Sequence, residues 1–170
     1  GYDCLAVLPP SATSHGINVY SREALDGRVI FGGKVELAPS AHFEFLWLFL
    51  EVGFNLVVLY VSPKTPILKK LLAVRELASK LKDSGNPSII MGDFNIQLKS
   101  QDGEILEEIM AEYGFTLSVP RDQPSTDYRT QIDMVFANFA VSSTYYESVF
   151  SDHKPVITLI RSNPVYGSED

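Results

Sequence analysis

Three short segments of the chain place polar, metal-competent side chains at the end of an apolar run. In Ile89-Ile90-Met91-Gly92-Asp93-Phe94-Asn95, an apolar stretch delivers a carboxylate and an amide two residues apart. On a strand, residues i and i+2 share a face, so Asp93 and Asn95 can address one ligand. The same pair is equally suited to a turn in which Asp and Asn bond the local backbone. In Gln131-Ile132-Asp133-Met134-Val135-Phe136 a lone carboxylate sits inside an apolar run. Burying it unpaired costs several kcal/mol, so Asp133 requires a partner, structural or chemical. In Ser151-Asp152-His153-Lys154-Pro155-Val156 an Asp-His dipeptide precedes another apolar run. Histidine can donate to a phosphoryl oxygen, and a carboxylate can orient its ring. Alone, such a dipeptide is equally a surface loop.

The elements that must position these segments read mostly as strands. Alternating or continuous apolar runs rich in β-branched and aromatic residues fall at Asp3–Leu8, Gly16–Ser21, Val29–Leu37, Glu44–Leu50 and Asn55–Val61. The stretch Phe43 to Val61 has the length of a membrane span, but Glu44, Glu51 and Asn55 interrupt it. Two buried strands joined around Glu51-Val52-Gly53 are expected instead. Helical spacing of Ile67, Leu68, Leu71, Leu72, Leu77 and Leu81 predicts a helix over Ile67–Lys82, stopped by Ser84-Gly85-Asn86-Pro87. Its lysines Lys69, Lys70, Lys80 and Lys82 read as a wet face. A second helix is expected over Gly103–Tyr113, with Asp102 as N-cap and Gly114 after its C-terminus. Strands follow at Ser88–Met91, Phe115–Val119, Gln131–Ala137, Ser143–Val149 and Pro155–Ile160, then a polar tail, Ser162–Asp170. Trp47 and Tyr145-Tyr146 read as packing residues, His42 and His15 as loop histidines, and Cys4 as a buried strand thiol.

The composition suits one globular domain: 170 residues, 45% hydrophobic and 21% charged. The net charge of −7 argues against a simple electrostatic nucleic-acid clamp. It leaves room for metal-assisted chemistry, because a divalent cation brings positive charge to the phosphate. A single cysteine excludes an intrachain disulfide, and no signal peptide is visible. An intracellular protein, nuclear or cytoplasmic, is expected.

Taken in order, Gly92-Asp93-Phe94-Asn95, Ile132-Asp133-Met134-Val135-Phe136 and Ser151-Asp152-His153-Lys154-Pro155-Val156 resemble the endonuclease/exonuclease/phosphatase superfamily, which includes DNase I. The runs His15–Ser21 and Asn55–Pro63 also look like family strands, the second ending in Tyr60 before a Pro-containing turn. The resemblance spans residues 1–161 and looks closest to endonuclease domains of mobile elements, LINE-type or helitron-type. It implies an α+β fold, a four-layer α/β/β/α sandwich of two mixed sheets. It implies Mg²⁺ (or Mn²⁺) and a nucleic-acid substrate, DNA rather than RNA. Asp93 would orient or deprotonate the attacking water, with Asn95 beside it. His153, oriented by Asp133, would hydrogen-bond a non-bridging phosphate oxygen. Asp152 would ligate or support the metal, and Tyr60 would contact the phosphate or assist the leaving group.

The family begins with two strands ending in Asn and Glu, and it places both before the segment matching Gly1-Tyr2-Asp3-Cys4. No Glu in residues 1–35 stands in that context, and Glu23 reads as solvated surface. The chain thus reads as an N-terminally truncated domain, expected to nick plasmid weakly or not at all. An unpaired sheet edge would invite self-association. Two other readings remain: a catalytically dead remnant kept as a binding or scaffold piece, and a phosphatase of inositol phosphates or phospholipids. The family's Asn after the Pro of the Tyr turn is absent here, where the order is Tyr60-Val61-Ser62-Pro63.

Overall fold

The structure is a computed structural model, and it describes residues 1–10, 16–22, 27–38 and 41–160. The readings of His15, Glu23 and the tail Ser162–Asp170 lie outside those residues. Ten strands and two helices follow one another as β1 (Asp3–Leu8), β2 (Ile17–Ser21), β3 (Gly27–Ala38), β4 (Ala41–Leu50), β5 (Phe54–Val61), α1 (Ile67–Asp83), β6 (Ser88–Asp93), α2 (Gln101–Glu112), β7 (Thr116–Leu117), β8 (Asp133–Ala137), β9 (Val141–Tyr145) and β10 (Val156–Ile160).

Six of the strands form one mixed sheet in the order β3-β4-β5-β6-β8-β7. Only β5 and β6 run parallel, and α1 makes the crossover between them. Strand periodicity then sorts the side chains onto two faces. Phe43, Phe45, Trp47, Val57, Leu59, Val61, Ile90, Met134 and Phe136 point to the helices, where they pack on Leu71, Val74, Leu77, Leu81, Leu106 and Met110. Burying side chains of this size stabilises the fold by about 1.5–3 kcal/mol each. The opposite face carries Leu46, Leu48, Leu50, Leu56 and Val58 under the β1–β2 pair, and Ile89, Met91 and Val135 under the β9–β10 pair.

The chain is thus α+β, with a helix layer, a large mixed sheet and a second β layer. That second layer consists of two separate two-stranded antiparallel sheets. Among the described residues no helix covers its outer side. A groove of about 420 Å³ lined by Asn18, Val58, Met91, Asp133, Lys154 and Val156 runs between the two pairs.

Local details explain the element ends. Phe43–Val61 is two strands, joined at a turn where Gly53 adopts φ +104°. Among the described residues no helix is long and apolar enough to cross a membrane. Ser100, not Asp102, caps α2: its Oγ accepts from the Gly103 N–H at 3.1 Å. Asp102 lies in the first turn instead, where its charge suits the helix dipole. Gly114 at φ +84° follows that helix, as its position implied.

Three readings are corrected. Cys4 is exposed, because β1 buries only Ala6 fully and, among the described residues, pairs with β2 alone. His42 belongs to β4 and is buried. Lys70 is only 5% exposed: its stem enters the gap between α1 and the end of β6.

Candidate active site

Sheet register builds the site. Glu44 of β4 stands opposite Tyr60 of β5, Tyr60 opposite Asp93 of β6, and Asp93 opposite Asp133 of β8. Partnered residues point to the same face, so four adjacent strands present one row of polar side chains. The row lies at the end of the face covered by the second β layer.

Asp93 closes β6, and the chain turns sharply after it. Phe94 is fully buried against Phe136, which anchors the turn between its two polar neighbours. Asn95 takes a left-handed conformation, φ +48°. Its N–H donates to Asp93 Oδ1 at 2.8 Å, and its Nδ2 donates to Asp93 Oδ2 at 3.0 Å and to the Val61 carbonyl at 2.8 Å. Asp93 and Asn95 therefore meet, through the local turn that was the alternative reading of the pair. The Asn95 amide holds the carboxylate and ties it to β5.

Gly92 makes the approach possible. At φ +141° a Cβ there would collide with the Leu59 carbonyl of the neighbouring strand. Lys70 closes the turn from behind, its Nζ donating to the Asn95 carbonyl at 2.6 Å.

Burial, and then the Asp133 charge, pushes the Asp93 carboxyl up to about 6, against the opposing pull of the Asn95 N–H, His153 and Lys70. Tyr60 is also raised, by burial first and then by Asp93 and Glu44. It is a neutral phenol, able to donate.

Asp133 finds its partners outside β8. His153 Nδ1 lies 2.9 Å from Asp133 Oδ2 and 3.1 Å from Oδ1. Ser125 Oγ, fully buried, donates to Asp133 Oδ2 at 2.7 Å and accepts from the N–H groups of Ile132 and Asp133. The loop ahead of β8 also holds the histidine segment by its backbone. Thr126 bridges His153, Asp127 N–H donates to the Asp152 carbonyl, and Lys154 N–H donates to the Ser125 carbonyl.

Asp93, Asp133 and His153 each offer one ligand atom, and these atoms lie within 4.8 Å of one another. Two carboxylates and an imidazole around one point fit a divalent cation, with the oxygens suited to Mg²⁺ or Mn²⁺. Asp152 lies outside this group. It is exposed, and its carboxylate accepts from the Tyr128 hydroxyl at 3.1 Å.

Four participants escaped the sequence reading. Ser125 and Lys70 carry no distinguishing motif; one looked like a turn residue and the other like a helix surface. His42 and Glu44 share a face of β4, with His42 Nε2 3.0 Å from Glu44 Oε1. A carboxylate in the apolar run Phe43–Leu50 was the available signal.

The sequence matches the endonuclease-reverse transcriptase family over residues 54–157. No curated protein matches it. Among solved structures it is similar to the endonuclease domain of TRAS1, a telomere-specific non-LTR retrotransposon. That likeness has 16% identity over 95% of this chain and 79% of the other, with a TM-score of 0.67. A mannosyl-6-phosphatase from Bacteroides thetaiotaomicron is similar at 16% identity, 94% and 78% coverage and TM-score 0.60. The human Nocturnin catalytic domain is similar at 14% identity, 94% and 73% coverage and TM-score 0.60. At these identities the structural likeness carries the fold alone: two packed β layers of the DNase I-like class. The chain belongs to the endonuclease-reverse transcriptase family, within the endonuclease/exonuclease/phosphatase superfamily.

Proposed function

We propose that the chain is a divalent-metal-dependent hydrolase of nucleic-acid phosphodiesters, an endonuclease module of mobile-element type. The observation that carries this reading is the Asp133–His153 pair set beside Asp93. Hydrolysis needs an oriented water on one side of phosphorus and a sink for charge on the phosphoryl oxygens. Asp93, raised to about 6 and fixed by Asn95, is placed to orient a water and take its proton. His153 spends Nδ1 on Asp133, which leaves Nε2 for a non-bridging phosphate oxygen. Tyr60 stands one strand from Asp93 as a neutral donor to the phosphate or to the leaving oxygen. Mg²⁺ or Mn²⁺ held by Asp93 and Asp133 would supply positive charge at the phosphate. Asp152 supports that end of the site through Tyr128.

With a net charge of −7, a bound cation at the site would offset the repulsion of a polyanion. DNA is favoured over RNA by the kind of mobile element the TRAS1 domain belongs to. Such an enzyme would work inside the cell, in nucleus or cytoplasm. The likeness to a sugar phosphatase favours one second reading, hydrolysis of soluble phosphate monoesters by the same machinery.

One assay separates these readings. Supercoiled plasmid and inositol or sugar phosphates are incubated with the chain and Mg²⁺, with Asp93→Ala and His153→Ala alongside. Nicking lost in both variants supports the endonuclease. Phosphate release without nicking supports the phosphatase. Neither product, under long incubation with Mg²⁺ or Mn²⁺, overturns both and leaves a binding role.

A further inference from the structure

The two ends of the large sheet are built differently. At one end β7 spans only Thr116–Leu117, which offers little backbone for pairing. At the other, β3 is 12 residues long, and no strand among the described residues lies outside it. A long edge strand is a template for another strand, and proteins disarm it with proline, charge, bulges or brevity. β3 contains no proline. Between its register shifts at Val29/Phe31 and Glu36/Ala38 it pairs regularly with β4.

The two faces of that regular run differ in character. Phe31 and Val35 are register partners of Trp47 and Phe43, so they point to the helix side. Phe31 is 58% exposed and Val35 46%. Both line an apolar groove of about 820 Å³ whose far wall includes Leu72 of α1, itself exposed. Gly33 stands between them, with open space where a Cβ would project.

Lys34 and Glu36 point to the other face, as register partners of Glu44 and His42. Their own charged groups are 3.9 Å apart, and the Glu36 side chain is 78% exposed. Opposite charges two residues apart make a strand edge complementary to itself. A two-fold axis through Val35 sets Lys34 opposite Glu36 of a second copy, and Glu36 opposite its Lys34. Val35 then meets its own counterpart on the apolar face. An axis through Lys34 would set two lysines face to face, and one through Gly33 would set them on a diagonal. Opposed like charges destabilise a strand pair, and opposed unlike charges support it.

We propose that β3 is the interface for a second copy of this chain, the two strands pairing antiparallel about a two-fold axis at Val35. Two six-stranded sheets then join edge to edge, and the α1 helices of both copies flank one trough. Burial of the apolar edge in that trough supplies the affinity, and the Lys34–Glu36 pairs select the register. Such an interface uses the same patch on both copies, so it closes on itself and leaves no β3 edge open. β3 lies three strands from Asp93, so association and catalysis are read separately.

The test is sedimentation velocity of the full chain over a range of concentration. The parent should show a reversible monomer–dimer equilibrium. Lys34→Glu and Glu36→Lys, each alone, place like charges across the axis and should weaken association by roughly tenfold or more. An equimolar mixture of the two variants restores opposite charges across the axis. It should associate at least as well as the parent, which also shows that both variants fold.

The register is read by a cysteine placed in the Cys4→Ser chain. Val35→Cys should link to its counterpart under mild oxidation. Gly33→Cys should not, because its counterpart is displaced four residues along the strand, beyond the reach of a disulfide. A parent chain that stays monomeric throughout overturns the proposal. So does association that neither charge variant moves, or linkage at Gly33 in place of Val35.

Discussion

His153 Nδ1 meets Asp133 Oδ2 at 2.9 Å although twenty residues separate them. One side chain stands on a central sheet strand and the other on a loop that begins only after β9. Two backbone hydrogen bonds to the segment Ser125–Asp127, which make the Thr126–His153 bridge, hold the loop in place. The imidazole is therefore aimed by the loop before β8 as much as by its own.

Removing either member of this pair should abolish most turnover. His153→Ala and Asp133→Asn are each expected to lower kcat by about 10²- to 10⁴-fold, the usual loss for a positioned acid–base group. Because they act as a unit, the double variant should be scarcely slower than the worse single one. Single-turnover nicking of plasmid by all four proteins measures this.

Asp93 should make stability depend on pH. Its folded carboxyl titrates near 6, above the ordinary 3.8. An acid raised on folding binds its proton more tightly in the native state. Its ionisation therefore costs stability as pH rises from about 4 through 6, and the cost is complete above that. Asp93→Asn removes the cost. In metal-free buffer it should raise the midpoint of urea unfolding at pH 8 and leave it nearly unchanged at pH 4. The gain is at most about 3 kcal/mol, from 1.36 kcal/mol per pKa unit. Equal midpoints at pH 8 would contradict the assigned burial.

Lys70 should matter more than a helix-surface lysine. Lys70→Met keeps the buried stem but loses the charged donor to the Asn95 carbonyl. A cost of about 1.5–3 kcal/mol is expected for that bond. Nicking should fall as the Asp93–Asn95 turn loosens, whereas Lys69→Met, which gives up only an exposed bond to the Leu37 carbonyl, should cost less and leave nicking unchanged. Denaturant midpoints and nicking rates of the two variants settle the comparison.

Gly92→Ala should prevent stable folding or cost well over 2 kcal/mol, because a Cβ strikes the Leu59 carbonyl in a backbone conformation that L residues avoid. Gly33→Ala, with open space around it, is the control. Soluble yield and thermal midpoints distinguish the two.

Among the described residues β3 ends the large sheet, and that edge is expected to drive self-association. Val29, Ile30, Phe31 and Val35 are exposed there, beside an apolar groove shared with Leu72 of α1. A charged residue in such a strand blocks edge pairing. Phe31→Lys should shift the sedimentation-velocity profile toward monomer at concentrations where the parent chain associates.

Much of this architecture could be read from residue patterns because periodicity reports burial. The alternation in Asn55–Val61 and the helical spacing from Ile67 to Leu81 mark elements that the structure ends within a residue or so. The motif segments around Asp93, Asp133 and His153 were visible because a carboxylate in an apolar run is anomalous. Ser125, Lys70 and His42 were not visible, because each acts through a partner 8, 25 or 2 residues away whose direction depends on the packed fold. The resemblance alone gave Asp152 a place at the metal; its carboxylate accepts from the Tyr128 hydroxyl, a partner 24 residues away that no local pattern announces.

The alignment of Glu44, Tyr60, Asp93 and Asp133 across four strands also constrains how the protein comes into being. Sliding any one strand by a single residue would swing its polar member through to the helix side and send its apolar face outward. A slip of β4, β6 or β8 would bury a carboxylate in an oily layer, so misregistered sheets are heavily disfavoured. Competence for chemistry and completion of the sheet should consequently appear together during refolding, with no long-lived folded but inert form between them.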